Sequence, residues 1–116
     1  MKLYSKEEIK LLRIQIGCVI RKSRLEKKLS QEDVGHLVDT NSTGIGRIER
    51  GENVRGWENL ILICQHLEVD LSTLFYLKSK TEILKIIEDT FKMEVKLNQG
   101  KRDYYHFLIK QVNQYS

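Results

Sequence analysis

Between Ser30 and Gly51 two short helical patterns flank a four-residue polar break, and this restricts the fold more than any other stretch of the chain. Ser30 is a good N-cap, and Glu32 and Asp33 behind it suit the positive end of a helix dipole. Val34, Leu37 and Val38 then form the apolar stripe of a short helix. Asp39-Thr40-Asn41-Ser42 interrupts it, and Asn41 is placed to cap the next helix, which turns Ile45 and Ile48 inward. Gly51 follows Arg50 as a natural left-handed terminator. Two short helices joined this way form an αα-corner.

The rest of the chain supports helices on both sides of that corner. None of the 116 residues is proline and only 7 are glycine, which favours helices over strands. Ser5-Lys6-Glu7-Glu8 has the form of a capping box. Ile9, Leu12, Ile16, Val19 and Ile20 follow at helical spacing, so one long helix, or two merged near Gly17, should run to about Lys28. Arg24, Lys27 and Lys28 in its last turn suit the negative dipole end. Residues 52–56 read as a loop, and Trp57, Leu60, Ile61, Ile63, Cys64 and Leu67 predict a fourth helix. Asp70 caps a short fifth helix expected over Leu71–Tyr76. Apolar periodicity over Thr81–Leu97, a break at Asn98-Gln99-Gly100 and a restart from Tyr104 predict a helical hairpin. The expected organisation is all-α: residues 1–77 as a five-helix unit with an extended first helix, and residues 78–116 as a C-terminal hairpin that serves as the dimerisation or partner-binding element.

A net charge of +4 makes a polyanion a plausible partner, but the charge is unevenly spread. Residues 1–30 carry +6, residues 31–77 carry −5 and residues 78–116 carry +3. The acidic middle cannot bind a polyanion by bulk charge, so binding must rest on a few placed bases and helix N-termini. Cys18 and Cys64 lie far apart within apolar patterns, where buried thiols behave as small hydrophobes, and this fits a reducing cytoplasm. No signal peptide or membrane-spanning run is read in the chain. His36, His66 and His106 lack metal-ligand spacing, and no phosphate loop or nucleophile motif is present. No enzyme activity, metal or cofactor is therefore expected.

The segment Ile16–Phe75 resembles the Cro/C1-type (XRE-family) helix-turn-helix regulators of phages and bacteria. The likeness rests on Ile20-Arg21…Arg24, on Leu29-Ser30-Gln31-Glu32-Asp33-Val34-Gly35, on Ile45-x-Arg47-Ile48-Glu49-Arg50-Gly51-Glu52 and on Leu67-x-Val69-x-Leu71. It implies a five-helix, lambda-repressor-like DNA-binding domain whose motif spans about residues 30–50. The residue matching Gln31 lies against the DNA backbone and first base in that family. Ser30 and Gln31 open the second helix, where free N–H groups suit a phosphate, although Ser30 also serves simply as a cap.

Ser42, Thr43, Gly46 and Arg47 fall on the face of the third helix away from Ile45 and Ile48, free to enter a major groove behind the Asn41 cap. Arg47 is the best single reader, since a guanidinium grips guanine O6 and N7, or a phosphate, in bidentate fashion. Arg50 is expected at a phosphate or in water. Gly44 and Gly46 depart from the family pattern, each costing on the order of 1 kcal/mol relative to alanine. They leave the reading helix soft until DNA orders it, or they let its backbone approach the groove. Arg24 and Glu49 match a family pair that ties the first helix to the third by a partly buried salt bridge.

Leu62 sits off the inward stripe of the fourth helix and Trp57 stands at its start. With Tyr104, Tyr105, Phe107 and Tyr115 they suggest a docking surface, covered either by the hairpin of the same chain or by a second subunit. The functional expectation is a cytoplasmic, bacterial or phage-encoded regulator, a repressor or autoregulator that binds near-palindromic double-stranded DNA as a homodimer. Two other readings stay open: an antitoxin-like module that engages a protein through residues 78–116, and a DNA-bending accessory factor of a mobile element.

Overall fold

The computed structural model describes residues 3–38, 40–52 and 57–115. Among them the chain forms seven helices and no strand: α1 (Lys6–Glu26), α2 (Gln31–Leu37), α3 (Ser42–Glu49), α4 (Trp57–His66), α5 (Leu71–Leu74), α6 (Lys80–Met93) and α7 (Gln99–Gln114). Asp39 and the loop expected over residues 53–56 lie outside the described residues. The capping box at Ser5 is present, with the Ser5 hydroxyl accepting from the Glu8 N–H at 3.1 Å and the Glu8 carboxylate accepting from the Ser5 N–H at 3.0 Å. Ser79 and Glu82 build the same device at the start of α6.

α1 runs through Gly17 without a break, and the reason is steric. A Cβ at Gly17 would strike the carbonyl oxygen of Glu49, so glycine lets α1 cross the end of α3 backbone to backbone. Arg13 secures the same crossing by donating from Nε to the Gly51 carbonyl at 2.8 Å. Gly51 itself has φ 71°. It closes α3 in a Schellman turn, with the Gly51 N–H on the Ile48 carbonyl and the Glu52 N–H on that of Arg47. α1 and α4 end in equivalent turns, but there Lys28 and Glu68 hold the left-handed position, each at φ 58°. Because of this turn, α1 stops at Glu26 rather than at Lys28.

Two apolar cores share α1. The first gathers Ile20, Val34, Val38, Ile45, Ile48, Leu60, Ile63, Cys64, Leu67 and Leu74. The second lies on the other side of the same helix, where Leu11 and Cys18 meet Ile83, Ile87, Tyr105, Leu108 and Val112 of the hairpin. The single stripe expected along α1 is therefore two stripes: Ile16, Val19 and Ile20 face the first core, Leu11, Ile14 and Cys18 the second. Ile9, assigned to the stripe from its spacing, is exposed. Both thiols are free and buried, one in each core. Burial pushes Cys18 up to about 12, which keeps it an unreactive thiol.

The hairpin is thus built onto the first helix rather than appended after the fifth. Gln15, fully buried in α1, fixes the connection: its Nε2 donates to the carbonyls of Leu74 (3.2 Å) and Tyr76 (2.7 Å), and its Oε1 accepts from the Lys78 N–H at 2.8 Å. Tyr4 Oη accepts from the Leu77 N–H at 3.1 Å. Two expectations need correction. The hairpin does not cover the surface around Trp57, which is 77% exposed, or Leu62, 37% exposed, because α6 and α7 pack on α1. The break in the hairpin falls earlier than expected: α6 ends at Met93, and Gln99 and Gly100 already belong to α7, whose cap Asn98 accepts from the Lys101 N–H at 2.8 Å.

Candidate nucleic-acid interface

α2 and α3 form the corner foreseen in the sequence. The Ser30 hydroxyl accepts from the Asp33 N–H at 2.9 Å, while the Asp33 carboxylate accepts from the Ser30 N–H at 2.9 Å. Ser30's backbone N–H and hydroxyl hold the Asp33 carboxyl below its ordinary value. Asn41 caps α3 by accepting from the Gly44 N–H at 2.8 Å, and its amide nitrogen remains as a donor. Gly35 lets the corner close, since a Cβ there would stand 2.9 Å from the Thr40 carbonyl oxygen.

α3 presents Ser42, Thr43 and Arg47 to solvent, and Ile45 and Ile48 to the first core. Arg47 has no ion-pair partner among the described residues. A depression of about 360 Å³ beside it is lined by Thr43, Gly44, Arg47 and Asn59. Asn59 of α4 was not legible as part of this face, because only the α3–α4 packing brings it there. Gly46 is corrected: it is buried and not on the free face. A Cβ at Gly46 would lie 3.1 Å from a terminal nitrogen of Arg50 and 3.5 Å from the Gln31 amide oxygen. The missing side chain makes room for these two neighbours rather than for a groove. Arg50 is exposed and donates from Nε to Glu52 at 2.7 Å.

Behind the reading helix lies a buried charge cluster centred on Glu49. Arg24 grips its carboxylate through Nε at 2.6 Å and a terminal nitrogen at 3.1 Å, and donates a further bond to the Leu29 carbonyl at 2.8 Å. The pair expected between Arg24 and Glu49 is therefore formed, and it is larger than a pair. Arg21, one helical turn earlier, donates to the same carboxylate at 3.0 Å, and the Gln31 amide donates to it at 3.1 Å. Gln31 thus spends one amide hydrogen inward, keeping one hydrogen and its oxygen for any ligand. Arg21 went unassigned in the sequence, though its spacing of three from Arg24 places both on one face of α1.

Arg21 also ties the hairpin to this cluster. Its guanidinium lies over the rings of Tyr104 and Tyr105, 5.0 and 5.6 Å from their centroids. Burial alone would weaken its hold on the proton, but the Glu49 carboxylate keeps it above the ordinary arginine value. Tyr105 stacks on Phe91 at 4.7 Å and donates its hydroxyl to Glu94 at 2.9 Å. Burial pushes Tyr104 up to about 12 against the opposing pull of Arg21, and pushes Tyr105 higher still. A continuous chain of contacts runs from α7 through Arg21 and Glu49 to α3 and α2.

α3 thus stands with its outer face open and its inner face held in the core, beside the start of α2. Residues 15–74 match the family model described as a helix-turn-helix domain, just over half of the chain. The chain belongs to that family, and its helix-turn-helix domain supports a DNA-binding regulator in general terms. No curated protein and no solved structure matches it. No helix among the described residues is long and apolar enough to cross a membrane, and no group of His, Cys, Asp or Glu among them is arranged to hold a metal ion.

Proposed function

We propose that the chain is a Cro/C1-type transcriptional regulator that reads a near-palindromic duplex as a homodimer and acts as a repressor or autoregulator. The observation that carries this reading is the exposed Arg47, unpaired among the described residues, on a helix whose opposite face is locked into the core. Ser42 and Thr43 offer short hydroxyl arms beside it. Gln31 and Asn41 keep donors for the backbone or first base, Ser30 opens α2 beside them, and Arg50 stands at the end of the helix. Arg24 and Glu49 position the assembly without touching DNA.

A dimer belongs to this reading for two reasons. A reading helix of eight residues makes few contacts by itself. Two reading helices facing one side of DNA stand about one turn apart, ~34 Å, and each copy measures 38 Å across its two longer axes. Neighbouring copies would therefore meet. The exposed Trp57, Ile61 and Leu62 of α4 offer apolar surface for that meeting, whereas the inner face of the hairpin is already used against α1.

Selection of bound sequences from random duplexes tests the proposal. A symmetric enriched motif, bound in excess competitor at moderate salt and with two chains per duplex, is the expected result. No enrichment, or binding that vanishes with salt regardless of sequence, would overturn it.

A further inference from the structure

We infer that the turn between α6 and α7 is a second wall of the DNA interface, gripping the sugar–phosphate strand that passes the start of α2. The inference rests on the DNA-reading role proposed above. A cleft of about 1170 Å³ opens between the α1–α2 corner and this turn. It is continuous with the reading site, since Ser30, Gln31 and Arg50 line it too. Six Lys/Arg side chains line it against three Glu, and the acids are the more fully committed on the hairpin side. Glu94, the one acid lining that side, has its side chain 6% exposed, accepts from the Tyr105 hydroxyl at 2.9 Å and has Lys101 Nζ at 3.9 Å.

Two cations are left to meet a ligand. Lys28 on one wall and Lys96 on the other are both exposed and make no ion pair among the described residues. At the floor, Arg21 and Arg24 share the single carboxylate of Glu49, so a surplus positive charge remains there. Leu25, Leu29 and Met93 provide apolar wall between these charges. An alternation of cationic and apolar surface suits a polymer that alternates phosphate and deoxyribose. Residues 95–98 of the turn are exposed throughout, Val95 by 86%, as are Gln99 and Gly100 at the start of α7, which leaves this end of the hairpin open for a strand to lie against.

The full chain is compared with the Lys28→Gly/Lys96→Ala variant on the selected duplex at several salt concentrations. Lys28 holds a left-handed backbone position, so glycine there should raise thermal stability, and weaker binding would not reflect unfolding. The expected result is a fall in affinity on the order of tenfold and a salt slope shallower by roughly 1.8, about 0.9 for each phosphate no longer neutralised. Relative preference among base-substituted duplexes should stay unchanged, because phosphate contacts carry no base code. Lys85→Ala, on the exposed side of α6 and outside the cleft, controls for bulk charge and should leave the slope alone. An unmoved slope in the double variant, as expected if the cleft instead takes a small anion, would overturn the inference while leaving the regulator reading intact. An equal change in Lys85→Ala would do the same. Failure of the unaltered chain to bind any selected duplex would overturn both.

Discussion

At single residues, backbone conformation and close contact decide more than residue type. Glu68 occupies a left-handed position that costs an ordinary side chain about 1–2 kcal/mol, more than the roughly 0.5–1 kcal/mol of chain entropy that glycine loses. Glu68→Gly should therefore stabilise the protein by about 0.5–1 kcal/mol, measured as a shift in urea midpoint, even though it removes the exposed ion pair with Lys27. Gly17→Ala should act oppositely. Its Cβ meets the Glu49 backbone, which cannot rotate away as a side chain would. A loss of about 2–3 kcal/mol is expected, in the range of overpacked cores. Unchanged stability in Gly17→Ala would show that α1 and α3 are not in the described contact. The sequence offered no sign of this: a lone glycine in a helical pattern reads as a weak point, and only the crossing reveals it as a contact. Gly46 misled in the same way, because helical spacing gives a face but not the neighbours that fill it.

At the level of elements, the positions of α1, α2 and α3 are set by one carboxylate. Glu49→Ala would leave Arg21 and Arg24 buried without their partner, at a cost of about 3–5 kcal/mol. Arg24→Ala should cost less, about 2–3 kcal/mol, because Arg21 and Gln31 still hold Glu49. In that variant, at equal folded fraction, DNA binding should weaken although no base contact has been removed; unchanged affinity would separate the cluster from the reading role. The α6–α7 junction sets an alkaline limit. The folded-state values of Tyr104 and Tyr105 lie above the ordinary 10 through burial, so the unfolded chain releases these protons first. Their contribution to stability is complete below pH 10 and is lost as pH climbs toward the folded values. Melting temperature should fall between pH 10 and 12, and Tyr104→Phe should flatten part of that fall. Helix identity and caps were legible here, since Ser5, Ser30, Asn41 and Asp70 announce their helices chemically. Ser79 and Glu82 build a capping box at α6 too, where the expected helix began only at Thr81, and the end of α6 at Met93 is marked by neither glycine nor proline.

For the whole molecule, the consequence of placing α1 between two cores is that neither half is self-sufficient. Removing residues 78–116 would expose Leu11, Ile14 and Cys18 and leave Gln15 without its partner at Lys78. The shortened chain should lose cooperative unfolding or melt far below the full one, as calorimetry would report. The uneven charge of the sequence also takes a spatial meaning: basic side chains of α1 and of the hairpin turn flank the acidic corner that carries the reading helix. The corner was readable in the sequence because its caps and spacing are local. The role of the hairpin was not, because helical periodicity shows an apolar face without naming what it packs against. The claim that matters most is that α3 reads bases through Arg47, and a repeat of the duplex selection with Arg47→Ala tests it most directly. The same symmetric motif is predicted, with preference relaxed at one position of each half-site by about 1–3 kcal/mol. A motif identical to that of the unaltered protein would contradict base reading by Arg47.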